Sequence, residues 1–184
     1  MHYNEKDIFL KDGTPCILRS PEEYDAEDLL GYLHTVTGET HYLLSYPEEV
    51  TLTFEQQIAV INKINKSNNE FMINAYINGE LAGNTHISCI SGKIKSRHRA
   101  SLGITVKKKF WGNGLGTILF KESLDFVKEI GYEQIELSVY SDNQKAQSLY
   151  ERYGFHVWGC IKNAFKLKDG TYCDDIIMGK MLKV

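Results

Sequence analysis

The segment Gly112-Asn113-Gly114-Leu115-Gly116-Thr117 constrains this chain more than any other, because of what flanks it. Just before it, Leu102, Gly103, Ile104, Thr105 and Val106 form an apolar run of strand length. Just after it, Leu115, Ile118, Leu119, Leu124, Val127 and Ile130 recur at helical spacing and predict a helix over 115–130. Strand, short glycine-rich turn and helix is the layout that aims several backbone N–H groups and a positive helix end at an anion. Glycine lets the backbone approach that anion closely and adopt positive φ, so the expected ligand carries phosphate. Spacing narrows the choice. A nucleotide P-loop requires Gly-Lys-Ser/Thr, which does not occur here. The dinucleotide fingerprint Gly-x-Gly-x-x-Gly is replaced by Gly-x-Gly-x-Gly, past residue 110 rather than after a first strand. Taken alone, the turn would also fit a tight connection without ligand.

Downstream, residues 133–140 alternate Ile135, Leu137 and Val139 with Glu136, Ser138 and Tyr140, as a strand does. Ser141-Asp142-Asn143 is a polar break suited to capping. A short helix is expected over 144–153, with Ala146, Leu149, Tyr150 and Tyr153 on one side and Gly154-Phe155 ending it. The passage 106–155 resembles the acetyl-CoA-binding core of the GNAT superfamily of N-acetyltransferases. Two elements carry the resemblance at family spacing: Trp111-Gly112-Asn113-Gly114-Leu115-Gly116, and the run from Ala146 through Leu149-Tyr150 to Gly154-Phe155. The family pattern opens its first element on Gln or Arg, and Trp111 stands there instead, so a packing role is expected of it.

The resemblance implies roles. Backbone N–H groups of Gly112, Asn113, Gly114, Leu115, Gly116 and Thr117, with Trp111 at the edge, would hold the pyrophosphate of acetyl-CoA. Pantetheine would run beside Ile104, Thr105 and Val106, and Asn143 would meet the cofactor's amide or a structural water, while also fitting a simple helix cap. Tyr150 stands where many members carry a general acid facing the coenzyme sulfur; the alternative is a core tyrosine. Ser101 occupies a strand position where many relatives carry Glu or Asp, and a serine cannot serve as base at neutral pH. Glu39 and His86 are other candidates, and no base is assigned. The implied activity is transfer of an acetyl group from acetyl-CoA to a primary amine by direct attack in a ternary complex, with no metal. Length and the Trp-Gly-Asn-Gly-Leu-Gly variant resemble the branch acting on ribosomal-protein N-termini, amino acids or small amines. A non-catalytic acyl-CoA-binding or regulatory module on the same fold remains the other class. Acids at Glu22, Glu23, Asp25, Glu27, Asp28, Glu39, Glu48 and Glu49 would suit a polyamine or aminoglycoside acceptor, or simply form a solvated face.

Composition supports this frame. At 184 residues the chain suits one domain, with an acceptor side over about 1–90 and a coenzyme core over about 100–160. A net charge of −3 and a pI near 6.1 argue against nucleic acid as the main partner. Lys107-Lys108-Lys109 precedes the glycine turn and could attract the coenzyme's 3′-phosphate. Cys16, Cys89, Cys160 and Cys173 lie far apart and read as reduced, mostly buried thiols. No histidine spacing suggests a metal. The first residues lack a signal-peptide core and no apolar run has membrane-spanning length, so a cytoplasmic protein is expected, with a homodimer left open.

The N-terminal half predicts a strand at 16–19, helix starts at Ser20 and Asp25, and a loop over 37–50. Thr53 to Gln56 reads as a capping box opening a helix through Ile58, Ile61 and Ile64. Residues 71–77 and 81–88, joined at Asn78-Gly79, form a hairpin, and closing strands fall within 157–182. The expected fold is α/β (α+β): a mixed, mostly antiparallel twisted sheet with helices on both faces and a central strand splay.

Overall fold

The structure, a computed structural model, describes residues 1–182. Its strands are β1 (Lys6–Phe9), β2 (Pro15–Arg19), β3 (Phe71–Ile77), β4 (Glu80–Cys89), β5 (Arg99–Val106), β6 (Gln134–Tyr140), β7 (His156–Lys166) and β8 (Tyr172–Met181). Its α-helices are α1 (Ala26–Glu39), α2 (Phe54–Lys66), α3 (Leu115–Ile130) and α4 (Gln144–Arg152). By density of contact the chain divides into two compact units. One comprises Met1–Ser88 with Gly103–Ile130, the other Cys89–Leu102 with the chain from Gly131 onward.

In the first unit β1 pairs with β2, β2 with β3 and β3 with β4, all antiparallel. The Asn78-Gly79 turn has φ of 51° and 81°, the left-handed geometry this dipeptide favours in two-residue hairpins. Thr53 Oγ1 accepts from the Gln56 N–H while the Gln56 side chain accepts from the Thr53 N–H, the reciprocal cap that starts α2. In β4 the pairs Ala75↔Gly83 and Tyr76↔Leu81 leave Ala82 unopposed. That bulge puts Leu81 on the same side as Asn84 rather than with Gly83. Leu81 then joins Ala26, Leu29, Tyr32 and Val36 of α1, Ile61 and Ile64 of α2, and Met72 and Tyr76 of β3 in one core. Each leucine, isoleucine, valine or methionine side chain of this set contributes roughly 1.5–3 kcal/mol when fully buried. On the opposite face Gly83 lies under Leu115 and Leu119 of α3. Thr85 there has its hydroxyl 3.0 Å from both the Gly103 carbonyl and the Ser123 hydroxyl of α3.

The second unit holds the start of β5 and the strands β6, β8 and β7. Arg99, Ala100 and Ser101 pair in parallel with Gln134, Ile135 and Glu136, and the register stops there although both strands continue. β6 and β7 each flank β8 antiparallel.

Three expectations need correction. β1 precedes the strand expected first, at 16–19; its short Lys-Asp-Ile-Phe sequence shows no clear alternation and is held by pairing with β2. α1 runs through Glu39 instead of yielding to a loop at residue 37, because Val36 and Thr37 are buried and Thr37 Oγ1 bonds the Leu33 carbonyl. β5 starts at Arg99, ahead of the apolar run, where pairing with β6 supplies the order. All four cysteines are free, with Cys16 and Cys173 buried but Cys160 exposed on β7. Among the described residues, no helix is long and apolar enough to cross a membrane.

Candidate active site

The glycine turn takes the backbone its sequence suggests. Gly112 and Gly114 have φ of 88° and 95°, a region that L side chains rarely enter. Gly114 immediately precedes α3, so the N–H groups of Gly116 and Thr117 lie in the first turn of the helix, where no intrahelical carbonyl is available to them. The Leu115 N–H is instead turned inward to Asn113 Oδ1 at 3.3 Å, and the Leu115 side chain is fully buried. Leu115 therefore serves the core first.

Trp111 fastens the turn to the strand before it. Its indole Nε1–H donates to the Val106 carbonyl at 2.7 Å. At the same strand end the Thr105 hydroxyl lies 2.7 Å from the Tyr32 hydroxyl of α1, and the Lys107 N–H bonds the Ala82 carbonyl of the bulge. Ile104 to Val106 are thus anchored to α1, β4 and the turn together. The lysines that follow are largely engaged. Glu80 accepts from Lys107 at 2.8 Å and also from Lys109, which lessens the charge these two present to a phosphate. Glu39, a candidate base, accepts from the Lys108 N–H at 2.7 Å and ties the end of α1 to this segment.

The hairpin formed by β1 and β2 also reaches the turn. The Lys11 N–H, between β1 and β2, donates to the Asn113 carbonyl at 3.3 Å. The Lys11 side-chain carbons lie 3.1–3.3 Å from where a Cβ on Gly114 would stand. The signal for a hairpin was present as Asp12-Gly13, but nothing local tells where its tip packs.

Asn143 and Tyr150 belong to the second unit. Asn143 Oδ1 accepts from the Ala146 N–H at 3.2 Å, so the asparagine is the N-cap of α4. Tyr150 is buried, 7% exposed, and burial pushes its phenol up to about 12, so it stays protonated at neutral pH. Ser101 sits in register with Glu136, whose two oxygens are gripped by Arg99 Nη2 at 2.8 and 2.6 Å. A carboxylate is therefore near Ser101, on the next strand, but already paired. His86, the other candidate base, belongs to the first unit. Its Nε2 is buried without a hydrogen-bond partner, and burial holds its pKa below the ordinary value.

Residues 27–155 match the acetyltransferase (GNAT) family. L-amino acid N-acetyltransferase AaaT of Escherichia coli (strain K12) is 29% identical over 108 residues, 58% of this chain and 65% of that protein. The match thus spans just under two thirds of the length of that relative. A GNAT-family acetyltransferase structure from Streptococcus pneumoniae is 30% identical and superposes with a TM-score of 0.86, covering 90% of this chain and 99% of that one. A GNAT superfamily phosphinothricin acetyltransferase from Sinorhizobium meliloti, in complex with acetyl-CoA, shares the fold at 17% identity and a TM-score of 0.79, covering 91% and 89%. The chain belongs to the acetyltransferase (GNAT) family.

Proposed function

We propose that this protein is an acetyl-CoA-dependent N-acetyltransferase that moves the acetyl group to a primary amine by direct attack. The observation that carries this reading is the pair of left-handed glycines, Gly112 and Gly114, opening α3. Together with family membership, they support the turn as the seat of the coenzyme's diphosphate, held by N–H groups between Gly112 and Thr117 other than that of Leu115, which bonds Asn113. Pantetheine lies along Ile104 to Val106. The amine nitrogen attacks the thioester carbonyl, the tetrahedral adduct collapses, and the thiolate leaves and takes a proton. Tyr150 supplies that proton, a role its raised pKa supports because the neutral phenol keeps its proton throughout the neutral range. Deprotonation of the amine passes through water, since Ser101 cannot accept a proton and Glu39 and Glu136 are held by the chain's own donors.

The acceptor is a small-molecule amine or a peptide N-terminus, with the α-amino group of amino acids first to be tried, given the relative named for it. A polycationic acceptor is less well supported. Of the acids on the N-terminal side, Glu23 accepts from Asn62, Asp25 from Arg19, Glu39 from Lys108 and Glu49 from Tyr46. Thiol release from acetyl-CoA, followed over a panel of amino acids, N-terminal peptides, polyamines and aminoglycosides, tests the proposal. Turnover with an amine establishes it; tight coenzyme binding with no turnover on any amine would leave the non-catalytic module.

A further inference from the structure

The backbone turn alone offers a diphosphate only partial positive charges. Of the three lysines nearest in sequence, Lys107 and Lys109 share the Glu80 carboxylate, Lys108 is tied through its backbone N–H to Glu39, and Trp111 is uncharged. Lys11 is the exposed cation that the fold carries to the turn from more than a hundred residues away. Its hairpin is tightly set: Leu10 is buried at 4% exposure and its N–H bonds the Thr14 carbonyl at 2.9 Å. The Gly13 N–H bonds the Leu10 carbonyl at 3.0 Å, and Asp12 Oδ1 accepts from the Thr14 N–H at 3.0 Å. The Lys11 N–H then fixes the tip to Asn113, and the side-chain stem crosses Gly114 with Cε 3.2 Å from the missing Cβ position. The ammonium lies one bond beyond Cε. Among the described residues Lys11 forms no ion pair.

We propose that Lys11 is a coenzyme-binding residue, its ammonium completing the diphosphate site that the glycine turn begins. This rests on the acetyl-CoA reading of that turn. The arrangement also gives Gly114 a second duty: besides its positive φ, it leaves room for the lysine stem. A lysine serves as a compact point charge on phosphate, and ionic hydrogen bonds of this kind exceed neutral ones in strength.

Calorimetry with coenzyme A tests it. Lys11→Met keeps an unbranched stem over Gly114 and removes only the charge, so the turn stays packed while affinity falls by about tenfold, the scale of one partly exposed charge-assisted contact. Lys11→Arg restores most of the affinity, and Lys95→Met, a matched loss of charge in the 91–98 loop, leaves it unchanged. Dephospho-coenzyme A, which lacks the 3′-phosphate, should show the same ratio between parent and Lys11→Met. Equal affinities for parent and Lys11→Met, with both folded by circular dichroism, would overturn the proposal. So would a ratio that vanishes with dephospho-coenzyme A, which moves the contact to the 3′-phosphate. If the parent protein itself fails to bind coenzyme A, the acetyl-CoA reading falls before Lys11 is in question.

Discussion

Gly83 gives the sharpest test of how the fold delivers the glycine turn. A Cβ there would stand 2.8 Å from Leu119 Cδ1, 3.3 Å from Leu115 Cδ2 and 3.3 Å from the Thr105 carbonyl. The first contact is closer than carbon atoms tolerate, and both leucines belong to the helix whose N-terminus is the turn. Gly83→Ala must push α3 off the sheet or twist Leu119 within a packed core, an overpacking cost of about 1–3 kcal/mol. For a chain of this size that corresponds to a melting temperature lower by roughly 2–12 °C. Because the displaced helix carries Leu115 to Thr117 and is entered through Gly114, KM for acetyl-CoA should rise while kcat changes less. Leu119→Ala alone removes a fully buried side chain and should cost about 2–5 kcal/mol. Combined, the two should cost less than their sum by roughly 0.5–3 kcal/mol, since the new methyl occupies space that the leucine vacates. Thermal denaturation and steady-state kinetics on the four proteins of this cycle read both effects. Additive stabilities, or Gly83→Ala with unchanged melting and unchanged KM, would refute the close approach of α3 to β4.

Other outcomes follow from the site. Tyr150→Phe keeps the ring and deletes only the phenol hydroxyl, so under the proposed mechanism coenzyme affinity should survive in calorimetry while turnover drops about a hundredfold; full activity would make Tyr150 a packing residue. With the phenol pushed up to about 12, activity should show no loss from Tyr150 between pH 7 and 10, and a descending limb there that Tyr150→Phe abolishes would contradict this. If water carries the amine's proton, the ascending limb of kcat/KM should follow the acceptor's own pKa for two amines about two units apart, whereas one shared limb near neutrality would reveal a protein base. Burial holds His86 below its ordinary pKa, with Glu70 opposing and Lys63 assisting. The unfolded chain then binds the proton more readily, so stability falls as pH drops below about 6.5. Denaturant midpoints at pH 5 and 7 should differ less in His86→Leu than in the parent, and identical differences would remove His86 from the effect.

Local chemistry made much of this protein legible from its sequence. The boundaries of α3, the Asn78-Gly79 hairpin, the Thr53 cap, the Asn143 cap and the left-handed glycines at 112 and 114 all depend on residues within a turn or two of one another. Periodicity and turn preference act at that range, so a single sequence displays them. Tertiary structure decided what depends on distant partners. It alone ordered β1, carried α1 through Glu39 to meet Lys108, and gave Lys107 and Lys109 to Glu80. The bulge at Ala82 set which face of β4 meets α3, and the hairpin tip at Lys11 came to rest on Gly114. No periodicity connects residue 11 to residue 114. Their contact exists because closing the sheet brings the β1–β2 turn beside the N-terminus of α3, and the loop entropy that closure costs is repaid by core burial spread over the whole unit.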